Sequence, residues 1–226
     1  MLVATNSLNL TNPTGFLVLD GVNGAGKSTM LKKILAYLDS KEQKAIGTFE
    51  PGATGLGKAI RSIVMEKRLE QISPLAEAFL FAADRNQHIE QLVSPELQRG
   101  NIVVSDRYYY STLAFQGFGR GLPLPALKEI NRIAINDLKP DLVFLFDLAP
   151  ELGLARTKRR DSKEKDAFEE EELSFHTRLR DGFLEISKEL PEPFVLIDAS
   201  LPEDSVWEQI LPALNNWLEQ LLDYRK

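Results

Sequence analysis

The stretch FLVLDGVNGAGKSTM, residues 16–30, decides the fold of this chain. Its first four residues form a short apolar run, which is typical of a strand that is buried on both faces. Asp20 ends that run, and a glycine-rich turn follows it. From Lys27 to about Leu38 the apolar residues recur at helical spacing, so the stretch predicts a strand, a tight turn and a helix in succession.

Four further apolar runs continue this pattern along the chain. They predict strands over Ala45–Phe49, Ile102–Val104, Leu142–Phe146 and Phe194–Ile197. Continuous apolar strands that alternate with helices indicate a parallel sheet covered on both faces. The sequence therefore predicts an α/β fold, a doubly wound parallel five-stranded sheet flanked by helices, with residues 15–226 as a single domain.

The helices between these strands have recognisable ends in the sequence. One helix is expected from Gly55 to about Glu66. Another is expected over Ser73–Arg99, because Ser and Pro suit its N-cap and first turn and Gly100 suits its end. The segment Ser200–Glu203 fits the capping-box pattern, which predicts that the last helix starts there and runs to about Leu222.

Composition excludes several functional classes. The chain has 226 residues, of which 43% are hydrophobic and 27% charged, and this excludes an intrinsically disordered chain. A net charge of −6 disfavours nucleic-acid binding, and the absence of cysteine excludes disulfides and thiolate metal sites. We find neither a leader pattern nor an apolar run of membrane length, so the protein is expected to be cytoplasmic, with residues 1–14 as a flexible N-terminal arm.

Residues 21–28, GVNGAGKS, match the pattern G-x-x-x-x-G-K-S/T that binds nucleotide phosphates. Its glycines let backbone N–H groups converge on a phosphate, and the following helix adds the positive end of its dipole. We expect Lys27 to reach the β- and γ-phosphates of ATP and the Ser28 hydroxyl to bind Mg²⁺. An accidental lysine in a glycine-rich turn is the alternative. The predicted ATP-binding residues are Gly21, Val22, Asn23, Gly24, Ala25, Gly26, Lys27, Ser28 and Thr29.

Polar residues follow the predicted strands, where ligands of open α/β sheets bind. These residues are Asp20, Asp106, Arg107, Asp147 and Asp198. We expect Asp106 to contact Mg²⁺ and the two-pronged guanidinium of Arg107 to bind the phosphate of an acceptor. The alternative is a surface salt bridge beside core tyrosines.

Several segments together resemble the thymidylate kinase family, whose members phosphorylate dTMP with ATP. VSDRYYYSTLAFQ at residues 104–116 is similar to the family's signature. EPGAT at 50–54 is similar to its R-E-P-G-G-T loop, LFAADR at 80–85 to its L-F-A-A-x-R helix segment, and FHTRLRDGF at 175–183 to its F-x-x-R-(V/L)-R-x-G-Y stretch. The resemblance covers about residues 16–200.

The resemblance implies a P-loop NTPase fold of the nucleoside monophosphate kinase type, a homodimer, and ATP and dTMP as substrates with Mg²⁺. It implies that Phe81 stacks on thymine, that Arg85 hydrogen-bonds the edge of the base, and that Arg107 binds the dTMP phosphate. A basic lid at about residues 153–168 is implied to close over ATP. The implied substrate-binding residues are Glu50, Pro51, Phe81, Arg85, Arg107, Ser111, Phe115 and Gln116, and the implied catalytic residues are Lys27, Asp106, Arg107, Arg156, Arg159 and Arg160.

Three positions depart from the pattern of the family. Phe49 stands where an Arg is expected near the acceptor phosphate, and Asn23 replaces an acidic residue that touches the sugar 3′-hydroxyl. Ala167 replaces an Arg beside the lid. Because a lost cation weakens a charge-assisted contact and Asn carries no charge, we expect a changed rate or selectivity with the chemistry retained.

Three functions are compatible with these residues. The first is a dTMP kinase, and the second is a related nucleoside or nucleotide kinase with an altered acceptor. The third is a nucleotide-binding regulator without catalysis, or an ATPase that acts on a macromolecule. Phosphoryl transfer depends on positioning and charge neutralisation, so it needs no strong base, and we expect His88 and His176 to be structural.

Overall fold

The computed structural model describes residues 8, 10–65, 72–159 and 167–226. In this part of the chain five parallel strands form one sheet in the order β2-β3-β1-β4-β5. The strands are β1 (Phe16–Gly21), β2 (Ala45–Phe49), β3 (Ile102–Asp106), β4 (Leu142–Asp147) and β5 (Phe194–Asp198). The predicted doubly wound parallel sheet of five strands is therefore confirmed.

Helices connect and flank the strands. They are α1 (Lys27–Ser40), α2 (Gly55–Met65), α3 (Pro74–His88), α4 (Ser94–Gln98), α5 (Tyr109–Thr112), α6 (Leu124–Ile135), α7 (Pro150–Lys158), α8 (Leu173–Glu189) and α9 (Glu203–Tyr224). Two π-helical segments, Ile89–Val93 and Leu113–Gly119, and one 3₁₀ turn, Ala167–Glu170, complete the described helical structure. Glu66, the expected end of α2, lies outside the described residues.

The centre of the sheet is apolar and buried. The four apolar residues of β1, 16–19, are fully buried, and β3 and β4 lie on either side of this strand. A strand covered on both faces needs apolar side chains in both directions, which explains why these runs do not alternate. The register aligns Phe49 with Asp106 and Asp147 with Asp198, so the polar strand ends meet at one edge.

The long helix predicted over residues 73–99 is present with one local change. The Ser73 side chain accepts a hydrogen bond of 3.3 Å from the Ala76 backbone N–H, which confirms Ser73 as the N-cap. The helix continues through the π-helical segment 89–93 into α4. Gly100, at φ 79°, then ends it in the left-handed conformation that glycine adopts readily.

The capping box predicted for the last helix is wrong. Helix α9 starts at Glu203, after Pro202 as N-cap, and no side chain caps it. The Ser200 hydroxyl instead donates a hydrogen bond of 2.6 Å to Asp198, whose carboxylate also accepts from the Ser200 backbone N–H. Because Asp198 lies two residues away and carries charge, it takes the hydroxyl that a cap would have used.

Part of the predicted flexible arm is packed onto the domain. Leu8 lies in the core, and its carbonyl accepts a hydrogen bond of 2.9 Å from Gln220 on α9. The Leu10 backbone N–H donates to the same side chain, and the backbone N–H of Thr14 donates to Asp141. Residues 8 and 10–14 thus differ from the expectation, and residues 1–7 and 9 lie outside the described part. None of the described helices is long and apolar enough to span a membrane.

Candidate active site

A cleft of about 900 Å³ opens at the carboxyl edge of the sheet. The predicted site residues that line it are Asn23, Gly24, Ala25, Gly26, Lys27, Ser28, Thr29, Glu50, Pro51, Phe81, Arg85, Asp106, Arg107, Ser111, Phe115, Gln116 and Arg156. Gly21 and Val22 are buried behind this lining, and Arg159 is exposed outside it. Arg160 lies outside the described residues. One cavity therefore brings together most of the predicted ATP-binding residues and the predicted substrate-binding residues.

The phosphate loop connects β1 to α1 in a tight turn. Gly24 and Gly26 have positive φ angles, and a Cβ on Gly24 would lie 2.3 Å from the Gly153 carbonyl oxygen. Lys27 begins α1 and is only 7% exposed. Its ammonium donates hydrogen bonds to the carbonyls of Gly21 and Val22, at 3.1 and 2.8 Å. The loop thus holds a cation and a helix N-terminus at one point, which is an arrangement that suits phosphate.

Ser28 and Asp106 meet across the cleft. The Ser28 hydroxyl donates a hydrogen bond of 2.7 Å to Oδ2 of Asp106 at the end of β3. A hydroxyl and a carboxylate are oxygen ligands of the kind Mg²⁺ takes, with water and substrate phosphates completing its shell. The described residues contain no group of three or more His, Asp or Glu side chains that could hold a metal by themselves. The pair therefore offers two oxygen ligands that such an ion could use.

Arg107 lines the cleft and has a strained backbone conformation, with φ 76°. Its Nη1 donates to the Gly21 carbonyl and to the Ser111 hydroxyl, each at 2.9 Å, and its Nη2 donates to the Asn23 side-chain oxygen. Nη1 is also 3.4 Å from Oδ1 of Asp20. Asp20 is fully buried, and this burial raises the pKa of its carboxyl, although Arg107 opposes the effect. Arg107 thus connects the phosphate loop to the segment after β3.

Arg85 belongs to a buried polar network below the cleft. Its Nε donates to Glu50 at 2.8 Å, and its Nη1 donates to Thr112 and Asn131 at 3.0 and 2.7 Å. The other oxygen of Glu50 lies 3.0 Å from Nδ1 of His88, in keeping with the structural role expected for that histidine. No described residue accepts a hydrogen bond from Nη2 of Arg85, which leaves this atom for a ligand in the cleft.

Aromatic rings form the apolar end of the cleft. Phe81 on α3 is half-buried, with its ring centre 6.2 Å from that of Phe168, and Phe115 contacts Phe168 edge-on at 5.2 Å. Gln116 is 1% exposed and donates a hydrogen bond of 2.7 Å to Glu77. This end of the cavity offers flat apolar surfaces with a few polar atoms, which is the usual lining of a pocket for a ring-shaped ligand.

The described part of the predicted lid contributes one arginine to the cleft lining. Arg156 on α7 donates hydrogen bonds to the carbonyls of Ala199 and Ser200, at 2.8 and 3.3 Å, in the turn after β5. Its guanidinium is therefore directed toward that turn as well as bordering the cleft.

The cleft lining also includes residues that were not among the predicted site residues, and Arg61 and Phe168 are two of them. Arg61 on α2 lines the cavity and donates a hydrogen bond of 3.1 Å to the Pro51 carbonyl. Arg61 follows Ile60, an apolar residue on the buried face of α2. This neighbour was the signal in the sequence that could have placed Arg61 beside the buried face. Phe168 is 2% exposed and packs at the aromatic end of the cleft, although it was expected only as the last residue of the lid segment.

Comparison with known proteins identifies the family. The family model for thymidylate kinase matches residues 19–210 of this chain. The chain belongs to the thymidylate kinase family.

Individual family members support this assignment. A thymidylate kinase of Lactobacillus acidophilus is 38% identical over 208 residues, which cover 92% of this chain and 96% of the relative. One of Desulfosudis oleivorans is 41% identical over 204 residues, which cover 88% and 95%. The crystal structure of thymidylate kinase from Ehrlichia chaffeensis superposes with a TM-score of 0.69 at 27% identity, covering 87% of this chain and 96% of that one.

Two of the three departures from the thymidylate kinase pattern line the cleft. Phe49 lies at the end of β2 and is 45% exposed. Asn23 is in the phosphate loop and contacts Arg107. Ala167 begins the 3₁₀ turn that brings Phe168 to the aromatic end. The cleft of this chain thus carries neutral side chains at positions 23 and 49.

Proposed function

We propose that the protein transfers the γ-phosphate of ATP to dTMP, giving ADP and dTDP, and so acts in dTDP biosynthesis. One observation carries this proposal beyond the family assignment. Nη1 of Arg107 donates both to the Gly21 carbonyl of the phosphate loop and to the Ser111 hydroxyl in the segment after β3. A donor phosphate on the loop and an acceptor phosphate at Arg107 would therefore lie side by side, as transfer requires.

The donor side of the cleft suits the triphosphate of ATP. Lys27 is already directed into the loop, where an incoming phosphate would replace the carbonyls of Gly21 and Val22 as its partner. We assign Mg²⁺ to Ser28 and Asp106, whose oxygens lie 2.7 Å apart. The ion supplies charge neutralisation at the phosphates when it is bound.

The acceptor side suits a pyrimidine monophosphate. We assign the base to the aromatic end, with Phe81 against its face and Nη2 of Arg85 toward its edge. Gln116, held by Glu77, borders the same space. We assign the 5′-phosphate to Arg107; Arg61 lines the same cleft with its guanidinium on the Pro51 carbonyl.

No side chain has to remove a proton from the acceptor. The second pKa of a phosphate monoester is about 6, so the attacking oxygen is largely ionised at neutral pH. The protein's task is to hold two anionic groups in line and to offset their repulsion. We assign that task to Lys27, Arg107 and the lid arginines 156, 159 and 160. Closure of the lid would also exclude water and so limit hydrolysis of ATP.

An acceptor panel tests this function. Purified protein with ATP and Mg²⁺ is assayed with dTMP, dUMP, dGMP, CMP and thymidine, and dTMP should give the highest kcat/KM. The variant Lys27→Ala, prepared identically, controls for contaminating kinases. Preferential phosphorylation of another acceptor would identify a related kinase, and nucleotide binding without transfer would identify a regulator.

We also propose that the protein forms a homodimer through α2, α3 and α6. Helix α3 packs against both α2 and α6. Large apolar side chains on these helices are exposed to solvent: Leu56 (49%), Phe79 (54%) and Ile133 (64%). An apolar surface shared by adjacent helices is typical of an interface between chains. The cytoplasmic location expected from the sequence stays a prediction.

A further inference from the structure

The side chain of Asn23 has a fixed orientation in the phosphate loop. Nη2 of Arg107 donates a hydrogen bond to Oδ1 of Asn23. A guanidinium only donates, so the amide oxygen must face Arg107 and the NH₂ group must face away from it. The Nδ2 atom is buried and has no hydrogen-bond partner among the described residues. Asn23 therefore holds Arg107 as a neutral acceptor.

The contact with Asn23 places no negative charge next to the Arg107 guanidinium. Its other close acceptors, the Gly21 carbonyl and the Ser111 hydroxyl, are also neutral. Among the described residues, Asp20 is the only carboxylate within 4 Å of the guanidinium, and it lies at 3.4 Å. A carboxylate at position 23 would add a second negative charge in direct contact with Arg107. That charge would compete with any phosphate for the same cation.

A second neutral side chain lies on the same cleft wall. Phe49 ends β2, is 45% exposed, and pairs in register with Asp106, the residue before Arg107. It places an aromatic ring, and no charge, beside the expected position of the acceptor phosphate. Arg61 enters the cleft from α2, but its guanidinium already donates to the Pro51 carbonyl. Arg107 is the cation on this wall to which we assign the acceptor phosphate.

We infer that Asn23 determines the affinity for the acceptor phosphate, because its amide positions Arg107 without neutralising it where Phe49 supplies no second cation. This inference rests on the proposed function in placing that phosphate beside Arg107. The two neutral residues form a compensating pair. One removes a negative charge from the site, and the other removes a positive charge.

The substitution Asn23→Asp tests the inference by calorimetry. We expect the Kd for dTMP to rise about a hundredfold or more, which is the effect of a unit charge at roughly 5 Å through an effective dielectric near 20. The Kd for thymidine, which lacks the phosphate, should change less than about twofold. Adding Phe49→Arg to this variant should return the Kd for dTMP to within about threefold of the wild-type value.

Controls separate this effect from folding and from sugar recognition. Asn12→Asp makes the same charge change at an exposed residue before β1, outside the cleft lining, and should leave both Kd values unchanged. Equal weakening of dTMP and thymidine by Asn23→Asp would overturn the inference, because it would place the effect at the nucleoside. An unchanged Kd for dTMP would overturn it as well.

A second variant tests the same pair without altering the phosphate loop. Phe49→Arg alone changes an exposed side chain and should tighten dTMP but not thymidine. No tightening would contradict the compensating pair. If the wild type prefers another monophosphate, the proposed function fails, and the same comparison is made with that monophosphate and its nucleoside.

Discussion

Nε of Arg85 lies 2.8 Å from Oε2 of Glu50, and both side chains are only 3% exposed. The residue expected to recognise the base is thus also half of a buried ion pair. Removing one partner of such a pair leaves the other charge unpaired in a medium of low dielectric, which costs about 3–5 kcal/mol.

We therefore expect Arg85→Ala to lower the free energy of unfolding by about 3–5 kcal/mol and to raise the KM for dTMP. Urea denaturation and steady-state kinetics measure the two effects. Arg132→Ala is the matched control, because Arg132 pairs with Glu129 at the surface and such pairs contribute about 1 kcal/mol or less. Equal stability losses in the two variants would contradict the importance of burial.

Lys27→Ala should reduce kcat by about 10²–10³-fold, because it removes a cation directed at the transferred phosphate. The free energy of unfolding should change by less than about 1 kcal/mol, since the ammonium donates hydrogen bonds to loop carbonyls and fills no apolar core. Initial rates and urea denaturation test this, with the exposed Lys128→Ala as control. Unchanged turnover would remove Lys27 from the phosphate site.

Ser28→Ala should raise the concentration of Mg²⁺ needed for half-maximal rate by about tenfold, because one of two protein oxygens for the ion is lost. The rate is measured against free Mg²⁺ at saturating ATP, and excess EDTA should abolish turnover of the wild type. Ser40→Ala, at the other end of the same helix, serves as control. A normal Mg²⁺ requirement in Ser28→Ala would place the ion elsewhere.

Asp84 should make stability depend on pH. Burial, together with the charge of Glu50, raises the pKa of Asp84 to about 6 from an ordinary value of 3.8. Between these values the folded protein keeps a proton that the unfolded chain has released, so this group lowers stability as pH rises from about 4 to 6.

Asp84→Asn removes this loss while keeping an oxygen for the Gly52 backbone N–H, which donates to Asp84 at 3.0 Å. The variant should gain stability over the wild type as pH rises from 4, to a difference of about 3 kcal/mol by pH 7. Urea denaturation at several pH values measures the difference, and the exposed Asp137→Asn should show none. A difference independent of pH would exclude the raised pKa.

Ile133→Glu and Phe79→Glu should convert the proposed dimer into monomers. Each places a charge on the exposed apolar surface of α3 and α6, and burying an unpaired charge in an interface is strongly unfavourable. Sedimentation at micromolar concentration should show a dimer for the wild type and for Leu201→Glu, which alters an exposed leucine outside these helices. Dimers in all variants would place the interface elsewhere.

The strands and the phosphate loop could be predicted because they depend on neighbouring residues. Phe16–Leu19 forms a continuous apolar run, and residues 21–28 carry every feature of the loop within one segment. The capping box failed for the opposite reason. Ser200 had a competing acceptor in Asp198, and a pattern of residue types does not say which of two partners a hydroxyl will take.

The sequence by itself determined the order of the elements, the phosphate loop and the polar residues at the strand ends, since periodicity and short motifs are local properties. The tertiary structure decided which of these residues meet. Ser28 and Asp106 are 78 residues apart, and their contact depends on the register of β3 beside β1. The burial of Arg85 against Glu50 and the neutral contact of Asn23 with Arg107 likewise depend on helix and loop packing. Electrostatic energy varies with distance and burial, and only the folded chain sets both.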